Sequence, residues 1–240
     1  MARQKNTSFR FKQFTICQDQ TTMKVCTDAC ILGAWAAIKD ATKILDIGTG
    51  TGLLALMAAQ RSNASIHAVE LDPEAYQQAK TNVKNSAFAR QIEVFYASIQ
   101  DFTVQNDTNQ YSHILCNPPF FENYLPSKNP KRNTALHTQT LPFVELALAI
   151  NQLLASNGQC FLLLPPFQSA QFLVIANAMG LYAHKQLFIS HQPNKNPFRI
   201  VSVLSRTNEP IVTESLIIRD LSQDYSPEFR ALLQDFYLIF

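Results

Sequence analysis

Residues 43–71 read KILDIGTGTGLLALMAAQRSNASIHAVEL. The first five are too few for a helix and too apolar for a loop, which is the signature of a buried strand. Glycines at 48, 50 and 52 come next, then a nine-residue apolar run, LLALMAAQR, of helical length. A second apolar run, SIHAVEL, ends on Glu70. Two strands joined through a helix pair in parallel, because a crossover of a dozen or more residues is what a parallel pair needs. A strand buried on both faces needs helices above and below it. This one stretch therefore predicts an α/β domain with a parallel sheet.

The remainder of the chain repeats the rhythm. PEAYQQAKTNV predicts a helix with Pro73 in its first turn. IEVFYAS and YSHILC predict strands, LPFVELALAINQLLA a helix, QCFLLLP a strand, and FQSAQFLVIANAM a helix. LYAHKQLFIS and RIVSVLSRT close the series as two successive strands. The expectation is one structural domain: a seven-stranded, mostly parallel sheet with an antiparallel edge strand and helices on both faces. Upstream, FRFKQFTI alternates aromatic and basic residues as a short strand or hairpin does. Thr27-Asp28 offers an N-cap for a helix to about Ala37, with Ile31, Leu32, Trp35 and Ile38 on one stripe. Residues 1–42 form the lead-in, and 43–240 the core. Stretches 103–110 and 122–140 read as loops.

Of the 240 residues, 47% are hydrophobic and 16% charged, with a net charge of +2, the composition of an ordinary globular chain. The five cysteines make no CxxC pair and no ligand spacing with histidine, so free thiols and no metal are expected. No signal-like run opens the sequence, and no apolar stretch nears the roughly 20 residues of a membrane span. A soluble cytoplasmic protein, and a monomer, is the expectation.

The glycine turn lies where open α/β sheets bind ligands, beyond the carboxyl ends of strands. An acid ending the next strand, Glu70, suits the two hydroxyls of a ribose. The dinucleotide fingerprint is GxGxxG, whereas the spacing here is GxGxG after Asp46; a nucleoside is indicated, and NAD-type ligands remain open on this motif alone.

A second motif narrows the chemistry. Residues 114–121 read ILCNPPFF and end the fourth core strand. Prolines stop the ladder because they lack an N–H, and they stiffen the backbone around them. The Asn117 side-chain oxygen and the Pro118 carbonyl can accept hydrogen bonds from an exocyclic amine. Phe120 can stack on a ring, a contact worth about 1–3 kcal/mol per base. Two acceptors on an aromatic amine draw it toward tetrahedral geometry and free its lone pair. Cys116, flanked by Leu115, reads as a small buried side chain rather than a nucleophile.

The glycine turn with Asp46 resembles motif I of class I S-adenosylmethionine methyltransferases, and NPPF resembles motif IV of amino-methyltransferases. Beyond these, FKQFTICQDQTTMKVCTDACILGAW and QDYSPEFRALLQDFYLIF make nearly the whole chain resemble one bacterial family. Its members are the tRNA adenine-N6 methyltransferases that modify adenosine 37 of a valine tRNA. The resemblance implies a Rossmann-like fold, S-adenosyl-L-methionine as cofactor, and the anticodon loop of a tRNA as partner. It places Asn117, Pro118 and Phe120 at the target base. It assigns Lys24, Thr27, Asp46, Gly48, Gly50, Glu70, Leu71, Ser98, Ile99 and Asn117 to the cofactor, with residues 1–42 covering the site. Arg10, Lys12, Lys128, Lys131, Arg132, His137, Lys195 and Arg199 are the candidates for gripping RNA around the mouth. Two departures stand out. Ser98-Ile99 replaces the Asp-Ile of many relatives, and Ala135-Leu136-His137 lacks an arginine found in them. NPPF alone also fits a guanine-N2 rRNA methyltransferase, and the fold alone fits an RNA-binding module without activity.

Overall fold

The computed structural model describes residues 7–21, 23–119 and 142–240. Its centre is an eight-stranded sheet in the order β10-β8-β9-β7-β6-β3-β4-β5. The strands are β3 (Lys43–Ile47), β4 (Ser65–Glu70), β5 (Ile92–Tyr96), β6 (Tyr111–Cys116), β7 (Leu154–Leu164), β8 (Tyr182–Ser190), β9 (Arg199–Ser205) and β10 (Val212–Ile217). All run in one direction except β9, which is antiparallel to both β7 and β8. The sheet thus has one strand more than the sequence suggests, and its antiparallel strand lies inside the sheet rather than at an edge. The edge is β10, which adds in parallel to β8.

Two hydrophobic clusters, one on each face, hold the layers together. Alternate residues of one strand go to opposite clusters: Ile44 to one, Leu45 and Ile47 to the other. This is the consequence of the period-2 pleat. The helices of the first face are α1 (Thr27–Trp35), α2 (Leu53–Arg61), α3 (Pro73–Lys84) and α7 (Pro227–Leu233). The second face carries α4 (Ile99–Gln105), α5 (Phe143–Leu153) and α6 (Pro166–Ala178). Helix α2 is buried from Leu53 to Ala59 without a polar face, as its unbroken apolar run requires. Among the described residues no helix is long and apolar enough to cross a membrane.

Three sequence expectations change. Helix α1 begins at Thr27 itself, and its N-cap is Cys26 without a side-chain bond. Asp28 is drawn away from capping by an ion pair with Arg199, 2.9 Å long and largely shielded from water. Residues 103–105, part of the stretch 103–110 read as loop, belong to helix α4, started by Ser98, whose hydroxyl accepts the Asp101 N–H. β7 begins at Leu154, directly after α5, with its register against β6 broken between Tyr111 and His113.

The lead-in forms an antiparallel hairpin, β1 (Ser8–Arg10) with β2 (Thr15–Cys17). Among the described residues it stands as a two-stranded sheet of its own. Asn82 of α3 clamps it, accepting the Cys17 N–H and donating to the Cys17 carbonyl, both at 2.9 Å. Its turn is tied to the end of the chain by a bridge between Phe11 and Tyr237.

Candidate active site

Strand β3 delivers the chain into the glycine turn. Gly48 and Gly50 have φ of +69° and +57°, in the left-handed region. Any other residue there costs roughly 1–2 kcal/mol. A Cβ built on either would meet nothing within 4 Å, so the turn presents bare backbone to open space. The N–H groups of Gly48 and Thr49 both donate to the Val69 carbonyl, at 2.9 and 3.0 Å, which locks the turn to the end of β4.

Asp46 lies beneath this turn and is wholly buried. Its Oδ2 accepts from the Thr49 hydroxyl at 2.6 Å and from the Ala55 N–H in the first turn of α2 at 3.1 Å. Its Oδ1 is buried with no partner among the described residues. Burial pushes the carboxyl up to about 7, against the hydrogen bonds from Thr49 and Ala55, with a smaller upward push from Glu70. A buried carboxylate oxygen left unmatched is costly in a finished site. Its presence fits a site completed by a bound polar group.

Glu70 is fixed by three backbone donors. Gly50 N–H reaches its Oε2 at 2.8 Å, and Leu71 and Asp72 N–H reach its Oε1 at 2.9 Å. A carboxylate has about four acceptor positions, so this one is oriented while keeping capacity for a ligand hydroxyl. Leu71 is the next residue, with 60% of its surface exposed, and Tyr96 at the end of β5 is comparably open. Ser98 spends its hydroxyl on α4, donating to the Asp101 carboxylate at 2.7 Å and accepting that residue's N–H. Ile99 is buried behind it.

The register of β3 on β6 pairs Ile47 with Cys116. Asn117, the next residue, therefore leaves β6 at the same end of the sheet at which the glycine turn leaves β3. Its Oδ1 is shielded from solvent and has no hydrogen-bond partner among the described residues. Pro118 is buried and Pro119 exposed. Cys116 is wholly buried, and burial holds its thiol well above the ordinary range, so it stays protonated and apolar.

Lys24 is exposed ahead of α1, and Thr27 opens that helix. Thr27 shares a hydrogen bond with the hydroxyl of Tyr237, which also meets the Cys30 thiol. Arg199 begins β9 at the same carboxyl edge of the sheet, and Lys195 is exposed on the loop before it. Arg10 is exposed on β1. Lys12 lies elsewhere. Its ammonium donates to the backbone oxygens of Gln234 and Phe240, and it borders a cleft with Lys39 and Arg61. Arg61 closes the last turn of α2, a helix length of about 13 Å from Gly52. Phe120, Lys128, Lys131, Arg132 and His137 lie outside the described residues.

Several supports escape sequence reasoning. Asn82 donates to the Thr51 carbonyl at 2.9 Å, so α3 holds the glycine turn and the hairpin with one amide. Gln78 accepts the Gln20 N–H beside it. No motif marks an amide on a helix as a clamp. Thr49 is different, because a hydroxyl inside the GxG turn, three residues past a buried acid, is a signal that local sequence does carry. Among the described residues, no cluster of three or more histidine, cysteine or acidic side chains is arranged to hold a metal.

The family described as "Methyltransferase small domain" matches residues 32–173. The chain is 44% identical over 241 residues to a tRNA1(Val) (adenine(37)-N6)-methyltransferase of Dyadobacter fermentans, covering 98% of this chain and 99% of that one. It is 42% identical to the protein of the same name from Pseudoalteromonas translucida, with 96% and 98% covered. The chain belongs to this methyltransferase family. Solved structures with the same fold are more distant in sequence. A protein from Agrobacterium tumefaciens described as a predicted O-methyltransferase superposes with a TM-score of 0.67 at 21% identity, over 87% of this chain and 96% of that one. TYW2 of Pyrococcus horikoshii superposes with a TM-score of 0.57 at 14% identity, over 83% and 71%.

As a member of this family the chain uses S-adenosylmethionine, and its residues suit that group. The open backbone at Gly48 and Gly50, the anchored Glu70 and the unmatched Asp46 oxygen lie together at one end of β3 and β4.

Proposed function

We infer that this chain transfers a methyl group to the N6 amine of an adenosine in tRNA, at adenosine 37 of a valine tRNA. The observation that carries the reading is the Asn117 side chain. Its buried oxygen, unpartnered among the described residues, sits one residue past β6, at the end of the sheet that carries the glycine turn, in a chain 44% identical to a tRNA1(Val) (adenine(37)-N6)-methyltransferase.

S-adenosylmethionine, when bound, supplies an electrophilic methyl group on a sulfonium. On this reading Glu70, held by its three N–H bonds, receives the ribose hydroxyls. Gly48 and Gly50 admit the methionine end against bare backbone, while Asp46 below keeps the turn in shape. Lys24 covers that end, within the lead-in that precedes β3, while Thr27, bonded to Tyr237, faces the cavity toward β8 and β10. Leu71, Ser98 and Ile99 flank the adenine of the cofactor; because Ser98 is committed to capping α4, its hold on the adenine amine is weak.

Asn117 Oδ1 and the Pro118 carbonyl accept the two N6 hydrogens of the target, and Phe120 stacks on its ring. An acceptor that is already dry and fixed needs no reorganisation when the amine arrives. The nitrogen sheds its proton after alkylation, so no strongly shifted base is needed. A base in an anticodon loop is already unpaired, which lowers the penalty of a few kcal/mol that flipping from a duplex carries. The RNA is held by Arg10, Lys195 and Arg199, with Lys128, Lys131, Arg132 and His137. The protein works as a monomer, without metal, in the cytoplasm.

The test is methylation of bulk tRNA from a strain lacking this protein, read by nucleoside mass spectrometry. N6-methyladenosine is the expected product; N2-methylguanosine, or none, refutes the reading.

A further inference from the structure

We propose that the tRNA has a second point of attachment, a stacking platform and phosphate fork at the carboxyl ends of β8 and β10, which takes a nucleotide flanking the target adenosine. This extends the methyl-transfer reading above and rests on it. A cavity of about 330 Å³ opens there, walled by Thr27, Asp28, His191, Phe198 and Ile218 with Arg219 and Tyr225.

The platform is a pair of rings. His191 and Phe198 bracket the loop between β8 and β9 and stack with centroids 3.8 Å apart and planes 8° from parallel. His191 is exposed, and among the described residues no hydrogen bond involves either of its ring nitrogens. Its outer face and its ring edge are both available to a base. Every base has a π-face, so such a platform holds any nucleotide and needs no sequence.

The fork is Arg219. Its guanidinium lies over the Tyr225 ring, 4.3 Å from the centroid. Of its donors only Nη1 has a partner among the described residues, the Gln223 carbonyl. Nε and Nη2 remain for a phosphate, in the planar arrangement that phosphate recognition favours. Its backbone N–H donates to the His191 carbonyl at 3.0 Å, which couples fork to platform. The acids nearby turn to other donors. Asp28 is paired with Arg199, and Asp220 accepts from the N–H groups of Ser222 and Asp224 in its own turn.

The position fits a flanking nucleotide. Between Asn117 and this cavity the sheet order runs β6-β7-β9-β8, three strand steps. At the usual spacing this is about 14 Å, a few nucleotides of single-stranded backbone. The start of β9 and the exposed Lys195 lie along the same edge. The requirement of a stacked, charged single strand is therefore met beside the mouth rather than in it.

The experiment compares wild type, His191→Ala, His191→Tyr, Arg219→Gln and Arg219→Lys in steady-state methylation of bulk unmodified tRNA. S-adenosylmethionine binding is measured in parallel by calorimetry. His191→Ala and Arg219→Gln should each raise KM for tRNA about tenfold, with kcat at saturating tRNA and cofactor affinity retained. His191→Tyr should recover KM, because a ring is restored. Arg219→Lys should not, because the fork is lost. Arg219→Gln should also flatten the dependence of log affinity on log salt by about 0.7–1. A KM within twofold of wild type in both His191→Ala and Arg219→Gln refutes the subsite while leaving the methyl-transfer reading intact. A wild-type protein that leaves tRNA unmethylated refutes that reading, and the subsite with it.

Discussion

Replacing Asp46 by asparagine should change how stability depends on pH. The carboxyl is wholly buried and pushed up to about 7 from an ordinary 3.8. The folded state therefore holds a proton there that the unfolded chain has lost. That contribution to stability is complete below about pH 4 and disappears as pH rises through 7. At about 1.4 kcal/mol per unit, the loss between those limits is about 4 kcal/mol. Asparagine keeps an acceptor for Thr49 and Ala55 and never ionises. Urea denaturation of the ligand-free proteins at pH 5 and pH 8 measures the effect. The difference between variant and wild type cancels the opposite trend of His67, His113 and His184, which burial holds below the ordinary histidine range. Asp46→Asn should gain on wild type by about 3 kcal/mol between the two pH values. Parallel stability profiles for the two proteins would show that the carboxyl is not held protonated by its surroundings, and the argument from burial would fail.

Asn82→Ala removes the amide that bonds Cys17 N–H, the Cys17 carbonyl and the Thr51 carbonyl. Leaving these groups unmatched should cost about 3 kcal/mol and lower Tm by about 6–12 °C; a shift below 2 °C in a thermal melt would contradict the clamp. Glu70→Gln puts an NH₂ group against at least one of the three backbone N–H donors on that side chain. Calorimetry should show at least a tenfold weaker S-adenosylmethionine affinity, and an unchanged Kd would remove Glu70 from the cofactor site.

The sequence patterns carry the βα rhythm well because each unit is a buried apolar run with a marked turn. KILDI, SIHAVE and YSHILC form β3, β4 and β6 with bounds within a residue of the pattern. Strand β10 leaves little trace: only Leu216 of VTESLI is buried, so the run reads as solvated. Helix α4 is seven residues long and lacks an apolar stripe that stands out, although Ser98 three residues before Asp101 is a capping signal. The same holds for α7, announced by Ser226-Pro227-Glu228 and capped by the Ser226 hydroxyl on Phe229 N–H. Strand order is a different matter. Alternation tells which face a residue takes but not which neighbour it pairs with, so the insertion of β9 between β7 and β8 is invisible until pairing is seen. In the site, residue types at strand ends identify Asp46, Glu70 and Asn117 as candidates. What they touch is hidden. Glu70 binds its own turn through Gly50 N–H, a contact 20 residues apart that no local motif encodes. Lys12 shows the same limit: no local pattern tells that a lysine among aromatics near the start of the chain donates to carbonyls at its end.

Asn117→Ala is the most direct test of the account. Asn117 follows β6 at the end of the sheet where β3 enters the glycine turn, and its oxygen is buried and unpaired among the described residues. Losing an acceptor that acts chiefly on the reacting amine should lower kcat for tRNA methylation by about 10²–10³-fold while the Kd for S-adenosylmethionine stays within about threefold. Turnover near wild type, or a loss of cofactor affinity as large as the loss of turnover, would contradict the claim that Asn117 holds the target amine.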